Sequence, residues 1–146
     1  MKILILKPSS LGDVVHALPM LRLIKRQYPE AEVHWWIEEG LASFLEGDPD
    51  LAKIQIFKRR SWGSLGGFLG EVRAAWKLRD VGFDLVIDLQ GLARSAWFAW
   101  LVHGERIIGI DSGREGARAF HDVSVGRKSH DTHAVEWCLD VAREFG

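Results

Sequence analysis

Apolar and polar positions fall along this chain in blocks that alternate between two periods. Residues 3–6 form a short apolar run, stopped by Lys7, Pro8, Ser9, Ser10, Leu11 and Gly12. A run of that length bounded by turn residues reads as a strand buried on both faces, as in parallel sheets. Val14, Leu18, Leu21 and Tyr28 then recur at helical spacing, with Arg22, Lys25 and Arg26 on the other side. Pro19 lies inside that pattern and predicts a kink or a late start, and Pro29 ends the helix. Val33, Trp35 and Ile37 predict a second strand before a Glu38-Glu39-Gly40 turn. Residues 41–45 predict a short helix and residues 54–57 a third strand.

Residues 58–70 contain four glycines and two serines and predict a mobile loop. A helix is expected over residues 71–79, carrying Val72, Ala75, Trp76 and Leu78. Residues 84–89 are the second clear buried strand, with Gln90-Gly91 as its exit turn and an apolar helix over residues 92–102. Residues 106–110 make a fourth or fifth parallel strand, according to whether residues 54–57 join the sheet. Residues 111–130 are polar and Gly-rich, hence loop, and Asp131 or Thr132 is placed to cap a last helix through Glu144. Strand and helix alternate throughout, so the fold class predicted is α/β, a doubly wound, mostly parallel sheet with right-handed crossovers. Neither a repeat nor a linker divides the chain, and one domain is expected.

Composition narrows the function classes. At 146 residues, 47% hydrophobic and 27% charged, the chain has the profile of an ordinary soluble domain with a real core. A net charge of -1 argues against a general nucleic-acid binder. Of the seven Trp, Trp35, Trp36, Trp97 and Trp100 are expected to build the core. One cysteine, Cys138, excludes an intrachain disulfide framework and a thiolate metal cluster and leans towards a reducing compartment. Residues 3–6 are too short for a signal peptide and no apolar run reaches the length of a membrane span, so the cytoplasm is the expected location.

In doubly wound sheets, ligands bind at the carboxyl ends of the strands, near the switch in strand order. The exit loop of the first strand, from Ser9 to Asp13, is the prime candidate. It lacks the glycine patterns of dinucleotide and phosphate loops. It offers Asp13, a carboxylate at a helix start that can take a proton from a substrate hydroxyl, beside Gly12, which lets a ligand approach the backbone. Local sequence alone favours a helix-capping role for Asp13, and turn or cap roles for Ser9 and Ser10. Lys58, Arg59 and Arg60 beside Trp62 form either an anion site or a solvated loop. Arg114, Arg118, Arg127 and Lys128 add cations at the same expected face. His130 and His133 read as cap or surface residues rather than metal ligands, and His16 and His103 as packed.

Met1 to Pro19, MKILILKPSSLGDVVHALP, closely resembles the opening of the lipopolysaccharide heptosyltransferases of glycosyltransferase family 9. The resemblance continues at Tyr28-Pro29, at HWWIEEG (residues 34–40), at FDLVIDLQGLARSA (residues 83–96) and at HAVE (residues 133–136). The DxQG pattern followed by a basic residue is closer to the type I branch. The resemblance implies a GT-B architecture, with a Rossmann-like N-terminal domain for the acceptor and a C-terminal domain for the nucleotide sugar. It implies transfer of heptose from ADP-heptose to a Kdo sugar of the lipopolysaccharide inner core (Kdo-lipid A), inverting and without a metal or other cofactor. It assigns the catalytic base to Asp13, reversing the local preference for a cap. Acceptor binding falls to Ser10, Gly12, Lys58, Arg59, Arg60, Gln90, Arg114 and Glu115. After Arg59-Arg60-Ser61-Trp62 this chain has glycines where the family often has more basic residues, which loosens the individual contacts but not the loop.

The chain ends about where the family's acceptor domain ends. The expectation is therefore one acceptor-binding domain over residues 1–146, with the donor domain absent and no appreciable activity in isolation. Peripheral contact with the inner membrane through the basic loop is expected, as is self-association through apolar surface left uncovered. Two rival readings remain open: a non-catalytic module binding an anionic glycolipid or nucleotide, and a family 9 enzyme using another sugar.

Overall fold

In the computed structural model, residues 1–113, 116–126 and 133–144 are described, apart from the side chains of Ser61 and Trp62. Six strands, β1 (Lys2–Leu6), β2 (Glu32–Glu38), β3 (Lys53–Phe57), β4 (Leu85–Asp88), β5 (Arg106–Asp111) and β6 (Val123–Gly126), form one sheet in the order β3-β2-β1-β4-β5-β6. Every neighbouring pair is parallel. Four helices cover the two faces: α1 (Leu11–Gln27), α2 (Leu65–Leu78), α3 (Ala93–Val102) and α4 (Ala134–Arg143). This is the Rossmann-like, doubly wound order predicted for strands that read as unbroken apolar runs.

Alternate residues of each strand feed two cores. Ile3, Ile5, Val33, Trp35, Ile87 and Ile108 pack under α1 and α4. Leu4, Leu6, Trp36, Val86 and Ile107 pack with Ala75 of α2 and Phe98, Ala99 and Val102 of α3. Trp36 lies between Phe57, at 4.6 Å, and Phe98, at 4.1 Å. Residues 54–57 do join the sheet, as its edge, so Arg106–Asp111 is the fifth strand.

Several expectations needed correction. α1 starts at Leu11 and continues through Pro19; the missing N–H would have served the carbonyl of Val15, on the exposed face where water can replace it. Residues 58–70 are not a loop throughout: a 3-10 turn covers Arg59–Gly63, and α2 begins at Leu65. Ser64 caps it, accepting from the Gly67 N–H at 3.1 Å, and Phe68 stacks on Trp97. Those contacts outweigh the poor helix propensity of three glycines. Within residues 111–130 the structure has a 3-10 turn (Ala117–Phe120) and the strand β6. His133 caps α4 through Nδ1, which accepts from the Val135 N–H; Asp131 and Thr132 lie outside the described residues. Trp100 is exposed rather than core. His103 is exposed rather than packed, and ends α3 in the left-handed region at φ 57°. Among the described residues, no helix is long and apolar enough to cross a membrane.

Candidate active site

The chain winds outward from β1 through β2 to β3, then returns to lay β4, β5 and β6 on the other side. The reversal leaves a crevice where β1 and β4 exit side by side, and this is where a doubly wound sheet takes its ligand. The Leu89 N–H donates to the Leu6 carbonyl at 3.0 Å, closing the floor. Lys7, Ser10, Gly12 and Asp13 leave β1 here, and Gln90 leaves β4.

Asp13 holds two positions at once. It is the third helical residue of α1, and its Oδ2 accepts from the Ser10 backbone N–H at 3.2 Å and the Ser10 hydroxyl at 3.0 Å. That is the acidic half of a capping box, so the capping role read from local sequence is real. Oδ1 has no donor among the described residues, and Asp13 is only half-buried. Partial burial pushes its carboxyl up, but the Lys7 ammonium, the two Ser10 hydrogen bonds and His16 together hold it below the usual carboxylate range. At neutral pH it is therefore an ionised acceptor, with one oxygen that meets no donor among the described residues. Among the described residues nothing lies within 4 Å of a Cβ built on Gly12, so they leave room beside the loop backbone.

Lys7 was not singled out from sequence. It is buried, and its Nζ donates to the Leu89 carbonyl at 2.9 Å, across the β1–β4 crevice. Its own carbonyl accepts from the Trp35 indole N–H at 3.1 Å. Burial lowers its pKa, while Asp13, Cys138 and Asp88 oppose that shift. A lysine directly after a buried strand was the available signal; its partner, 82 residues away, was not visible.

The β4 exit turn rests on Asp88, which is fully buried. Its Oδ1 accepts from the Gln90 and Gly91 N–H groups at 3.0 and 3.2 Å. Its Oδ2 lies 3.1 Å from the Ser95 hydroxyl and 2.9 Å from His121 Nε2. A carboxylate needs a donor there, so Nε2 carries the proton and Nδ1 faces the Ser124 hydroxyl at 3.3 Å. The His121 ring is possible only because residue 109 is glycine, whose added Cβ would sit 2.1 Å from it. Gln90 is thereby set at the crevice with a buried Oε1 that has no hydrogen-bond partner among the described residues.

Lys58, Arg59 and Arg60 are exposed and follow β3, on the same sheet edge but two strands from β1. At about 4.8 Å per strand, the β3 backbone they follow runs roughly 10 Å from that of β1. Arg114 and Glu115 lie outside the described residues. His16 meets His133 edge-to-face at 5.1 Å; no group of three metal-ligating side chains occurs among the described residues.

The model of glycosyltransferase family 9 (heptosyltransferase) matches residues 72–145, just over half the chain. The chain belongs to glycosyltransferase family 9. It is 38% identical to lipopolysaccharide heptosyltransferase 1 of Pseudomonas aeruginosa over 124 residues, covering 81% of this chain and 34% of that protein. Against lipopolysaccharide heptosyltransferase 1 of Escherichia coli K12 it is 34% identical over 145 residues, covering 93% and 44%. The solved E. coli heptosyltransferase WaaC with ADP-2-deoxy-2-fluoro heptose superposes with a TM-score of 0.85 at 30% identity, over 99% of this chain and 48% of that one. A family 9 structure from Veillonella parvula shares the fold, with a TM-score of 0.83 at 22% identity. The chain spans less than half the length of these curated relatives.

Proposed function

We propose that residues 1–146 are the acceptor-binding domain of an inverting heptosyltransferase of lipopolysaccharide core synthesis. The observation that carries this reading is Asp13, an ionised carboxylate at the switch crevice in a family 9 chain. An acceptor hydroxyl of a Kdo sugar is set against Oδ1 by Gln90 and the Ser10–Gly12 loop. Asp13 takes its proton as the hydroxyl oxygen bonds to the anomeric carbon of ADP-heptose. The bond from that carbon to the diphosphate breaks, ADP leaves, and the configuration inverts. Lys58, Arg59, Arg60, Arg114 and Glu115 serve the anionic acceptor. Charge on the departing diphosphate is met by a donor domain outside residues 1–146, after the relatives, whose length is more than twice the matched region.

Support for the sugar comes from the relatives' names and the ADP-heptose analogue in the solved neighbour. The location proposed is the cytoplasmic face of the inner membrane, where a lipid-anchored acceptor would be met peripherally. The test is heptose transfer from ADP-heptose by the gene product as its host makes it, with the anomeric configuration of the product read by NMR. Inversion is expected, and purified residues 1–146 alone should transfer nothing appreciable. Retention of configuration, or turnover by the isolated chain, would contradict the proposal.

A further inference from the structure

Asp13 sits at the carboxyl edge of the sheet; the opposite, amino edge holds a cavity of about 360 Å³. It lies where α3 ends, β5 begins and the 3-10 turn Ala117–Phe120 leads into β6. Trp100, Phe120 and Ile107 give it apolar walls, and His103, Glu105 and Asp122 give it polar ones. The His121 ring is fully buried against Asp88, so His121 offers the cavity only backbone. A space of this size, part apolar with a few polar groups, suits a small ligand.

The two aromatic rings stand with centroids 6.4 Å apart, tilted by 58°. They make a corner in which one cation lies within about 6 Å of both, the reach of a cation–π contact. Beside the rings are two exposed carboxylates, Glu105 and Asp122. Asp122 Oδ2 accepts from the Ile107 N–H at 2.7 Å, which fixes the side chain. Among the described residues its Oδ1 meets no donor, and the Glu105 carboxylate meets neither donor nor cation. Arg106 follows Glu105, but alternation along β5 turns it to the face opposite Ile107. Arg79 is held by the Leu101 carbonyl and the Trp76 ring. A carboxylate only accepts, so both are left asking for a positively charged donor.

Charge and shape together choose the ligand. Anions are repelled by the two carboxylates, so the diphosphate sugar and acidic acceptor proposed above do not belong here. A bare metal ion would use the carboxylates and leave the aromatic corner idle. A protonated amine with an apolar body uses every wall. Its N–H groups donate to Glu105 and Asp122, and its carbon chain lies against Trp100, Phe120 and Ile107.

We propose that the amino-edge cavity between Trp100, Phe120, Glu105 and Asp122 binds a small organic ammonium ion, at a site separate from the Asp13 crevice. The site does not depend on the function proposed above. The 146-residue chain, isotope-labelled for NMR, is titrated at about pH 8, where an ordinary imidazole is neutral. The probes are butylammonium, butanol as its neutral analogue of the same shape, and butyrate as the anionic one. The Trp100 indole N–H is followed, identified by its loss in Trp100→Ala. Butylammonium is expected to move it saturably with a Kd on the order of a millimolar, as suits so small a ligand. Butanol should bind about tenfold more weakly for want of charge, and butyrate should leave the indole unmoved. Added salt should weaken the ammonium complex. Glu105→Gln should weaken it about threefold, the scale of one exposed ion pair, with the rest of the spectrum unchanged because the side chain is exposed. Trp100→Ala, followed at the Phe120 amide, should weaken it about threefold or more. Equal binding of butanol, no saturable shift well above a millimolar, full affinity in both variants, or shifts centred on Gly12 and Asp13 instead would each overturn the proposal.

Discussion

At the scale of single residues, Asp13 and Lys7 show how unevenly a site is written into sequence. Asp13 was legible because its helix start, its capping partner Ser10 and its place after a buried strand are all local. Lys7 was not, because its meaning comes from the Leu89 carbonyl 82 residues on and from the carboxylates it faces. The pair makes a prediction. Lys7 is the foremost influence lowering the Asp13 carboxyl against the effect of burial, so Lys7→Met should raise the Asp13 pKa. Carbon-detected NMR of the Asp13 side-chain carboxyl across a pH series reads this directly; an unmoved titration would remove Lys7 from the site. Gln90 belongs in the account for a physical reason: a buried side-chain oxygen without a partner among the described residues is costly unless a ligand or water meets it.

At the scale of elements, periodicity found the strands and helices that run through the core, since burial on both faces leaves an unbroken apolar run. It missed the start of α2, where three glycines hid a helix held by the Ser64 cap and Phe68–Trp97 stacking. It missed β6, a four-residue edge strand too short to show a period. It misread Trp100 and His103 because an apolar helix was taken to be buried on all sides. The elements β4, β5 and β6 are tied by Asp88, Gly109 and His121, and the tie is breakable at one position. Gly109→Ala places a methyl in the His121 ring, leaving Asp88 short of a donor in the core. The expected loss is about 2–3 kcal/mol in denaturant unfolding, the range for leaving a buried charged acceptor short of a hydrogen bond. His121→Leu should cost a similar amount, and the two should not add. Strict additivity would show that Gly109 is not there to admit His121.

At the scale of the whole molecule, the sequence was enough for the doubly wound class and the carboxyl edge, because an alternating β/α chain leaves few topologies, while the strand order itself came from the structure. Acid should test the assembled structure. The Asp48 carboxyl is lowered by hydrogen bonds from Arg22, against partial burial, and the Asp13 carboxyl by the groups around it. Each therefore contributes stability above the unfolded carboxylate pKa that is lost as pH falls through the folded value. His34 is lowered by burial, so its protonation in the unfolded chain already favours unfolding below its ordinary pKa. All three act in the same direction, and thermal melts should fall in two stages, first below about pH 6.5 and again below about pH 4. Flat melting temperatures across that range would contradict these couplings. The central claim, that the crevice carboxylate is a base, is tested most directly by Asp13→Ala in the active gene product. A general base contributes about 10²–10⁴-fold, so heptose transfer should fall by that factor while acceptor binding stays largely intact. Wild-type turnover in Asp13→Ala would reduce Asp13 to the helix cap that its local sequence first suggested.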